Sequence, residues 1–190
     1  MLFAQTDPVP RVWSLQTYGF VARYHDDIGF NPAKGIGLAI GHNLRRNWLS
    51  GAVNLEYTRA AQTLQLIEGS HETYTNIYRS FLSLRGQWPA KKRAIVVFAN
   101  LLGGYSFFRP QALTIDAGTV GQITFRPQGE TKLVLAWSSG LEFRIGEAVS
   151  VLLSMKQHFS RFAIRRIDGV QTRMGWRPYW NYGFGLSLIF

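Results

Sequence analysis

The sequence predicts an all-β protein, with eight antiparallel strands running up and down into a closed barrel that crosses a membrane. Three observations carry this. Large apolar residues alternate with small or polar ones at a period of two along most of the chain, which is strand and not helix periodicity. Short connections alternate with longer ones between those stretches. The composition combines 14% aromatic residues and 19 glycines with only 17% charged residues in 190, where ordinary soluble domains carry ~25% charged residues. So many aromatic and β-branched residues exclude disorder. No run of ~18 apolar residues exists, which excludes a helical membrane protein. With no cysteine in the chain, neither a disulfide framework nor a Cys-based metal site is available.

Met1-Leu2-Phe3-Ala4-Gln5 reads as a frayed terminus or as the last residues of a secretory signal peptide, the mature chain then starting near Gln5. Residues 1–10 are a lead-in, and residues 11–190 form one barrel domain. Val12–His25 changes phase: Trp13 and Leu15 are odd, while Tyr18, Phe20, Ala22 and Tyr24 are even. A β-bulge would restore one apolar face there. Gly35–Leu44 sets Ile36, Leu38, Ile40 and Leu44 against Gly35, Gly37, Ala39, Gly41 and Asn43. Trp48–Leu64 sets Leu49, Val53, Leu55 and Tyr57 against Ser50, Asn54, Glu56 and Thr58. Glu72–Trp88 mixes Tyr74, Tyr78, Leu82, Leu84 and Trp88 with Ile77 and Phe81, and again calls for a bulge.

The second half is more regular. Ala94–Phe108 alternates Ile95, Val97, Leu101, Tyr105 and Phe107 with Val96, Phe98, Asn100, Gly104 and Ser106. Lys132–Ile145 carries Leu133, Leu135, Trp137, Leu141, Phe143 and Ile145 opposite Lys132, Val134, Ala136, Ser138, Gly140, Glu142 and Arg144. Val149–Phe162 alternates Val149, Val151, Leu153, Met155 and Phe159 with Ser150, Leu152, Ser154, Lys156, His158 and Ser160. In Tyr179–Phe190 every even residue is large and apolar, and the odd ones between the two ends are small or polar. This stretch is about twice the ~5–6 residues usual for a soluble strand. Membrane-crossing strands need ~9–11 residues.

Asn43–Asn47, Pro89–Arg93 and Gly146–Ala148 are the short connections; Asp26–Lys34, Ile67–His71, Arg109–Thr131 and Arg165–Pro178 are the longer ones. An even strand count with short turns at one end and longer loops at the other is how outer-membrane barrels are organised. Residue size decides which face is inside. An eight-stranded barrel has an interior only wide enough for side chains, which suits the Gly, Ala and Ser face. The Trp, Phe and Leu face is then left for lipid. Trp13, Trp48, Trp88, Trp176, Tyr179 and Trp180 fall near strand ends, where interfacial aromatic girdles form.

The chain resembles the small eight-stranded outer-membrane barrels of the OmpA, OmpX and OmpW type over nearly its whole length. The most specific element is the final strand, in which Tyr182, Phe184, Leu186, Leu188 and Phe190 alternate up to a closing aromatic. It is similar to the terminal signal read by the outer-membrane insertion machinery. The resemblance implies integral residence in a Gram-negative outer membrane after export through the periplasm, and no particular activity.

For chemistry, the polar face offers Glu56, Lys132, Glu142, Arg144, Lys156 and His158 as a lumen network, because buried charges in so narrow a barrel must pair. A narrow pore for small solutes is an alternative use of that face. His158-Phe159-Ser160 resembles the His-x-Ser motif of outer-membrane lipid A deacylases of the PagL type, which implies Ser160 as nucleophile and His158 as base. The sequence departs from that pattern in three ways. Arg161 stands where Asn commonly follows the Ser, no Glu comes after it, and the pair shares a face with Lys156, away from the lipid-facing residues. No enzymatic activity is therefore expected, and the hydrolase stands as the alternative.

His25, His42 and His71 are scattered and give no metal site, and no cofactor motif is present. The net charge of +10 first suggests nucleic acid. The basic residues instead fall in short turns (Arg45, Arg46, Lys91, Lys92, Arg93) and around the last long loop. In that loop Arg161, Arg165, Arg166, Arg173 and Arg177 would face the phosphates of lipopolysaccharide. No recognition helix or aromatic platform accompanies them, so nucleic-acid binding is not expected. The expected role is structural or accessory, with lipid and lipopolysaccharide as partners, and other outer-membrane proteins met through the Arg109–Thr131 loop.

Overall fold

A computed structural model describes residues 13–25, 28–46, 48–66, 69–88, 94–116, 121–146, 148–164 and 173–190. The lead-in and the question of the mature start lie outside them. The strands are β1 (Trp13–Arg23), β2 (Ala33–Arg46), β3 (Leu49–Leu66), β4 (Gly69–Trp88), β5 (Ile95–Pro110), β6 (Leu113–Asp116), β7 (Gln122–Phe125), β8 (Glu130–Arg144), β9 (Val149–Ile164) and β10 (Arg173–Ile189). Eight of them close a barrel in the order β1-β10-β9-β8-β5-β4-β3-β2, all pairs antiparallel. The remaining two, β6 and β7, pair with each other as a separate hairpin. At the seam, Trp13 N–H donates to the Phe190 carbonyl at 2.8 Å, and Phe190 N–H donates back to Trp13 at 2.9 Å.

Neither expected bulge exists. β1 and β4 pair in unbroken register on both sides, and the register shift lies on β2, between Asn43 and Arg46. The phase change in β1 is real alternation with aromatics on the inside. Phe20 is buried and Tyr18 hydrogen-bonds within the lumen, while Trp13 and Val21 are exposed outside. Glycines make room for them. A Cβ on Gly37 would collide with the Tyr18 ring, and one on Gly35 with the Phe20 ring. In β4, likewise, Ile77, Arg79, Phe81 and Arg85 point inward and Tyr78, Leu82, Leu84 and Trp88 outward.

Two connections differ from expectation. β3 and β4 run on until only residues 67 and 68 separate them, so that expected loop is a tight hairpin. β10 begins at Arg173 and passes through Pro178, which pairs with Phe159. β1 pairing reaches only Trp180, so β10 is locally an edge strand at Pro178, where a missing N–H is tolerated. Within the expected Arg109–Thr131 loop, β5 runs on to Pro110, Leu113–Asp116 and Gln122–Phe125 pair as the β6–β7 hairpin, and β8 already begins at Glu130.

The exterior is built for hydrocarbon. Leu82 and Leu101 are 71% and 68% exposed within a continuous apolar outer face, far larger than the apolar patches that soluble monomers expose. On β3, β4 and β5 the outward residues form cross-strand rows. Arg59–Asn76–Arg109 comes first, then Tyr57–Tyr78–Phe107 and Leu55–Ser80–Tyr105, then rows carrying Val53, Leu82, Leu84, Leu101 and Leu49 down to Trp88 and Val97. Tyr78 and Trp88 are ten residues apart on β4. At ~3.3 Å per residue and a tilt of ~40° this spans ~25 Å, the height of an outer-membrane apolar band.

Candidate functional site: the closed lumen

The lumen is filled in layers. At the loop end, Tyr24, Ile28 and Phe30 pack against buried Ala33, Ala60, Ile77, Phe108 and Tyr179. Tyr24, Ile28 and Phe30 belong to the described part of the β1–β2 connection, and these three side chains plug the lumen at its loop end. Below it, Tyr179 stacks on Tyr24 at 5.2 Å and on His158 at 4.6 Å with planes 4° apart.

The middle layer is ionic. Glu56 on β3 binds Lys156 on β9 and accepts from Tyr18 Oη at 3.0 Å. Arg79 Nη1 lies 3.8 Å and His158 Nε2 4.0 Å from its other oxygen. Arg79 also donates through Nε to Tyr179 Oη (3.0 Å), Nη1 to Thr58 Oγ1 (3.1 Å) and Nη2 to Tyr24 Oη (3.2 Å). Five strands thus converge on Glu56, Arg79 and Lys156, and each of the three nitrogens of the buried Arg79 guanidinium donates a hydrogen bond.

A second ionic layer lies toward the short-turn end. Arg85 binds Glu142, which also accepts from Ser150 Oγ at 3.0 Å and faces Arg144 Nε at 3.6 Å. The Arg85 guanidinium covers the Phe98 ring at 4.1 Å. Between the layers, Phe81, Leu102, Val134 and Ala136 form an apolar core.

Of the polar residues expected inside, Glu56, Lys156 and His158 meet in one layer, and Glu142 and Arg144 in the other. Lys132 stands apart at the loop-end mouth, paired with Glu130 at 2.8 Å. Arg79 and Arg85 were not anticipated, because a bulge in β4 left their facing undefined. The alternation Thr75, Ile77, Arg79, Phe81, Ser83, Arg85 was the signal to follow. Tyr179 is not a girdle residue: it is 1% exposed, drawn inward by its stack on His158 and its bond to Arg79.

His158 and Ser160 both lie inside the barrel, fully buried. The Ser160 hydroxyl donates to the Leu133 carbonyl at 3.3 Å, and neither His158 ring nitrogen has a hydrogen-bond partner among the described residues. The carboxylate nearest His158 is Glu56, about a hundred residues earlier in the chain and so not part of any local motif with it. Among the described residues no group of His, Asp or Glu could hold a metal.

Of the arginines expected to face lipopolysaccharide, Arg161 is exposed and pairs with outward Trp176. Arg177 corrects that expectation. It pairs with lumen-facing Ser160, so strand alternation turns it to the barrel mouth. Arg165 and Arg166 lie outside the described residues, as do Lys91, Lys92 and Arg93, and only the backbone of Arg45, Arg46 and Arg173 is described. Tyr182, Phe184, Leu186, Leu188 and Phe190 all point outward.

A closed eight-stranded antiparallel barrel with a side-chain-filled interior and an apolar exterior has the fold of an integral outer-membrane β-barrel. Among solved structures the chain is similar to OprG of Pseudomonas aeruginosa (TM-score 0.62, 9% identity, 95% of this chain and 96% of that one). It is also similar to Neisserial surface protein A (TM-score 0.56, 12% identity, 94% and 96% covered). Ail, the attachment invasion locus protein of Yersinia pestis, follows at a TM-score of 0.51 (11% identity, 96% and 100% covered). At these identities the likeness is one of fold. No protein-family model matches the chain, and no curated protein matches it in sequence.

Proposed function

We propose that this outer-membrane barrel has a non-enzymatic, structural or accessory role in the cell envelope, working through its outer surface and its loops. The observation that carries this is the filled lumen. An aromatic plug lies over two layers of paired charge, and His158 and Ser160 are both buried inside the wall, His158 in the ionic layer beneath Tyr179 and Ser160 two residues nearer the loop end of β9. An acyl chain in the membrane would have to pass the barrel wall to reach Ser160.

The β6–β7 hairpin supports a contact with another envelope protein. It stands outside the barrel sheet, its two strands pair with each other alone among the described residues, and it exposes Ile123. Exposed edges of this kind accept partner strands. Arg161 faces outward at the loop end, where anionic lipid headgroups are met. The alternate apolar residues up to Phe190 would serve the insertion machinery before folding.

The test is the lipid A mass spectrum of cells expressing the protein, together with planar-bilayer recordings of the purified barrel. The proposal expects unchanged acylation and no discrete conductance steps. Loss of one acyl chain, abolished by Ser160→Ala, would establish the hydrolase instead; steady conductance would establish a pore.

A further inference from the structure

We propose that the outward face of β3, β4 and β5 at the loop end of the barrel binds a lipid headgroup carrying two phosphates, with Arg59 and Arg109 as its cations and Asn76 between them. This rests on the reading above that the long-loop end faces outward from the cell. It does not depend on whether the lumen is inert.

Asn76 is the centre of the row: it pairs across the sheet with Arg59 on one side and Arg109 on the other. Its neighbours on the same face of β4 are Tyr74 and Tyr78. The Arg59 guanidinium lies over the Tyr74 ring at 4.3 Å, and that of Arg109 over the Tyr78 ring at 5.9 Å. Both arginines therefore lean from flanking strands onto the central one, held by rings that cost them little freedom.

The hydrogen-bonding character of the row is one-sided. Tyr57 Oη donates to Asn76 Oδ1 at 2.9 Å, which occupies the amide oxygen and leaves the NH2 group as the outward function. Arg59 Nη2 is steadied by Gln111 Oε1 at 3.5 Å. Among the described residues no carboxylate pairs with Arg59 or Arg109, though both are exposed. Lys34, also exposed, sits one residue before the Gly35–Thr58 pair and so beside Arg59. Guanidinium, amide and guanidinium thus present donors and positive charge only, which is what phosphate oxygens complement.

Depth fixes the class of ligand. The row lies immediately above Tyr57–Tyr78–Phe107, the aromatic row that begins the apolar band. An anion held here must belong to a molecule whose tails enter that band. Spacing narrows it further. Tyr74 and Tyr78 are four residues apart, which is ~13 Å along the strand. Guanidiniums held over two rings so spaced, from strands on opposite sides of β4, suit a headgroup with a phosphate at each end better than one carrying a single phosphate. A glycerophospholipid with a single phosphate satisfies half the site; a bis-phosphorylated glycolipid such as lipid A satisfies both halves.

The experiment is native mass spectrometry of the purified barrel released from micelles doped with bis-phosphorylated lipid A, monophosphoryl lipid A or phosphatidylglycerol. Bis-phosphorylated lipid A should be retained about tenfold more tightly than either of the others, the value of one charge-assisted contact. Arg59→Gln with Arg109→Gln should erase that preference while keeping heat-modifiable migration. Arg23→Gln, an exposed charge on β1, should leave it intact. Equal retention of phosphatidylglycerol by the native barrel would overturn the proposal. So would unchanged lipid A retention in the double variant, or the same loss with Arg23→Gln. Should the double variant not fold, each single variant is read the same way, with the preference over monophosphoryl lipid A expected to fall.

Discussion

Glu56 on β3 and Lys156 on β9 meet in the centre of the barrel with Arg79 on the other carboxylate oxygen. This ties opposite walls of the sheet together through one buried carboxylate. Glu56→Gln leaves two buried cations facing a neutral amide and should destabilise the barrel by ~3–5 kcal/mol. Lys156→Met removes only one partner, and Arg79 remains to balance Glu56. Urea unfolding in detergent should therefore rank Glu56→Gln below Lys156→Met, with the double variant no worse than Glu56→Gln alone.

Tyr179→Phe keeps the ring stacked on His158 but takes the acceptor from Arg79 Nε. A buried donor left without a partner costs ~1–3 kcal/mol. The same urea titration should show a loss in that range. A midpoint equal to the native one would mean that Arg79 finds another acceptor in the plug.

Glycines should divide into those that clear a path for a ring and those that do not. A Cβ at Gly140 would lie 2.6 Å from Phe98 Cζ and collide with the Leu153 carbonyl, which cannot move without breaking the sheet. At Gly103 the nearest atom is Leu135 Cδ2 at 3.8 Å. Gly140→Ala should cost ~1–3 kcal/mol, as overpacking does, and lower refolding yield. Gly103→Ala should refold as the native protein does.

Leu82 lies between the Tyr78 and Trp88 ends of the apolar band. Leu82→Arg should cost ~2–4 kcal/mol on refolding into bilayers, whereas Trp88→Arg at the interface should cost ~0–1 kcal/mol from the charge itself. Equal penalties at the two positions would contradict the placement of the band.

The barrel was legible because period-two alternation reports facing directly, and the final strand from Tyr182 to Phe190 shows it almost without noise. The bulges expected in β1 and β4 rest on one premise, that each strand keeps all its large apolar residues on one face, and the unbroken register of both strands shows that it does not hold. Tyr18, Phe20, Phe81 and Tyr179 lie inside because glycines on neighbouring strands, or stacking on another ring, make room for them. That compensation runs between residues distant in sequence, so no local window reveals it. The same applies to the ionic layer, in which Glu56 meets Lys156 only after the barrel closes. Arg59 and Arg109 were invisible as a pair until β4 brought Asn76 between them.

A cysteine scan along β4 tests the packed lumen and the lipid-facing exterior together. The chain has no cysteine, so each cysteine introduced along β4 from residue 76 to residue 86 is the only thiol. In folded barrel in bilayers, a membrane-permeant maleimide should label positions 78, 82 and 84. A charged, water-soluble one should fail to reach 77, 79 and 81. Labelling of those odd positions by the charged reagent would show an open, water-filled lumen, and labelling without alternation would show that β4 does not separate lipid from a packed interior; either result contradicts the sealed barrel described here.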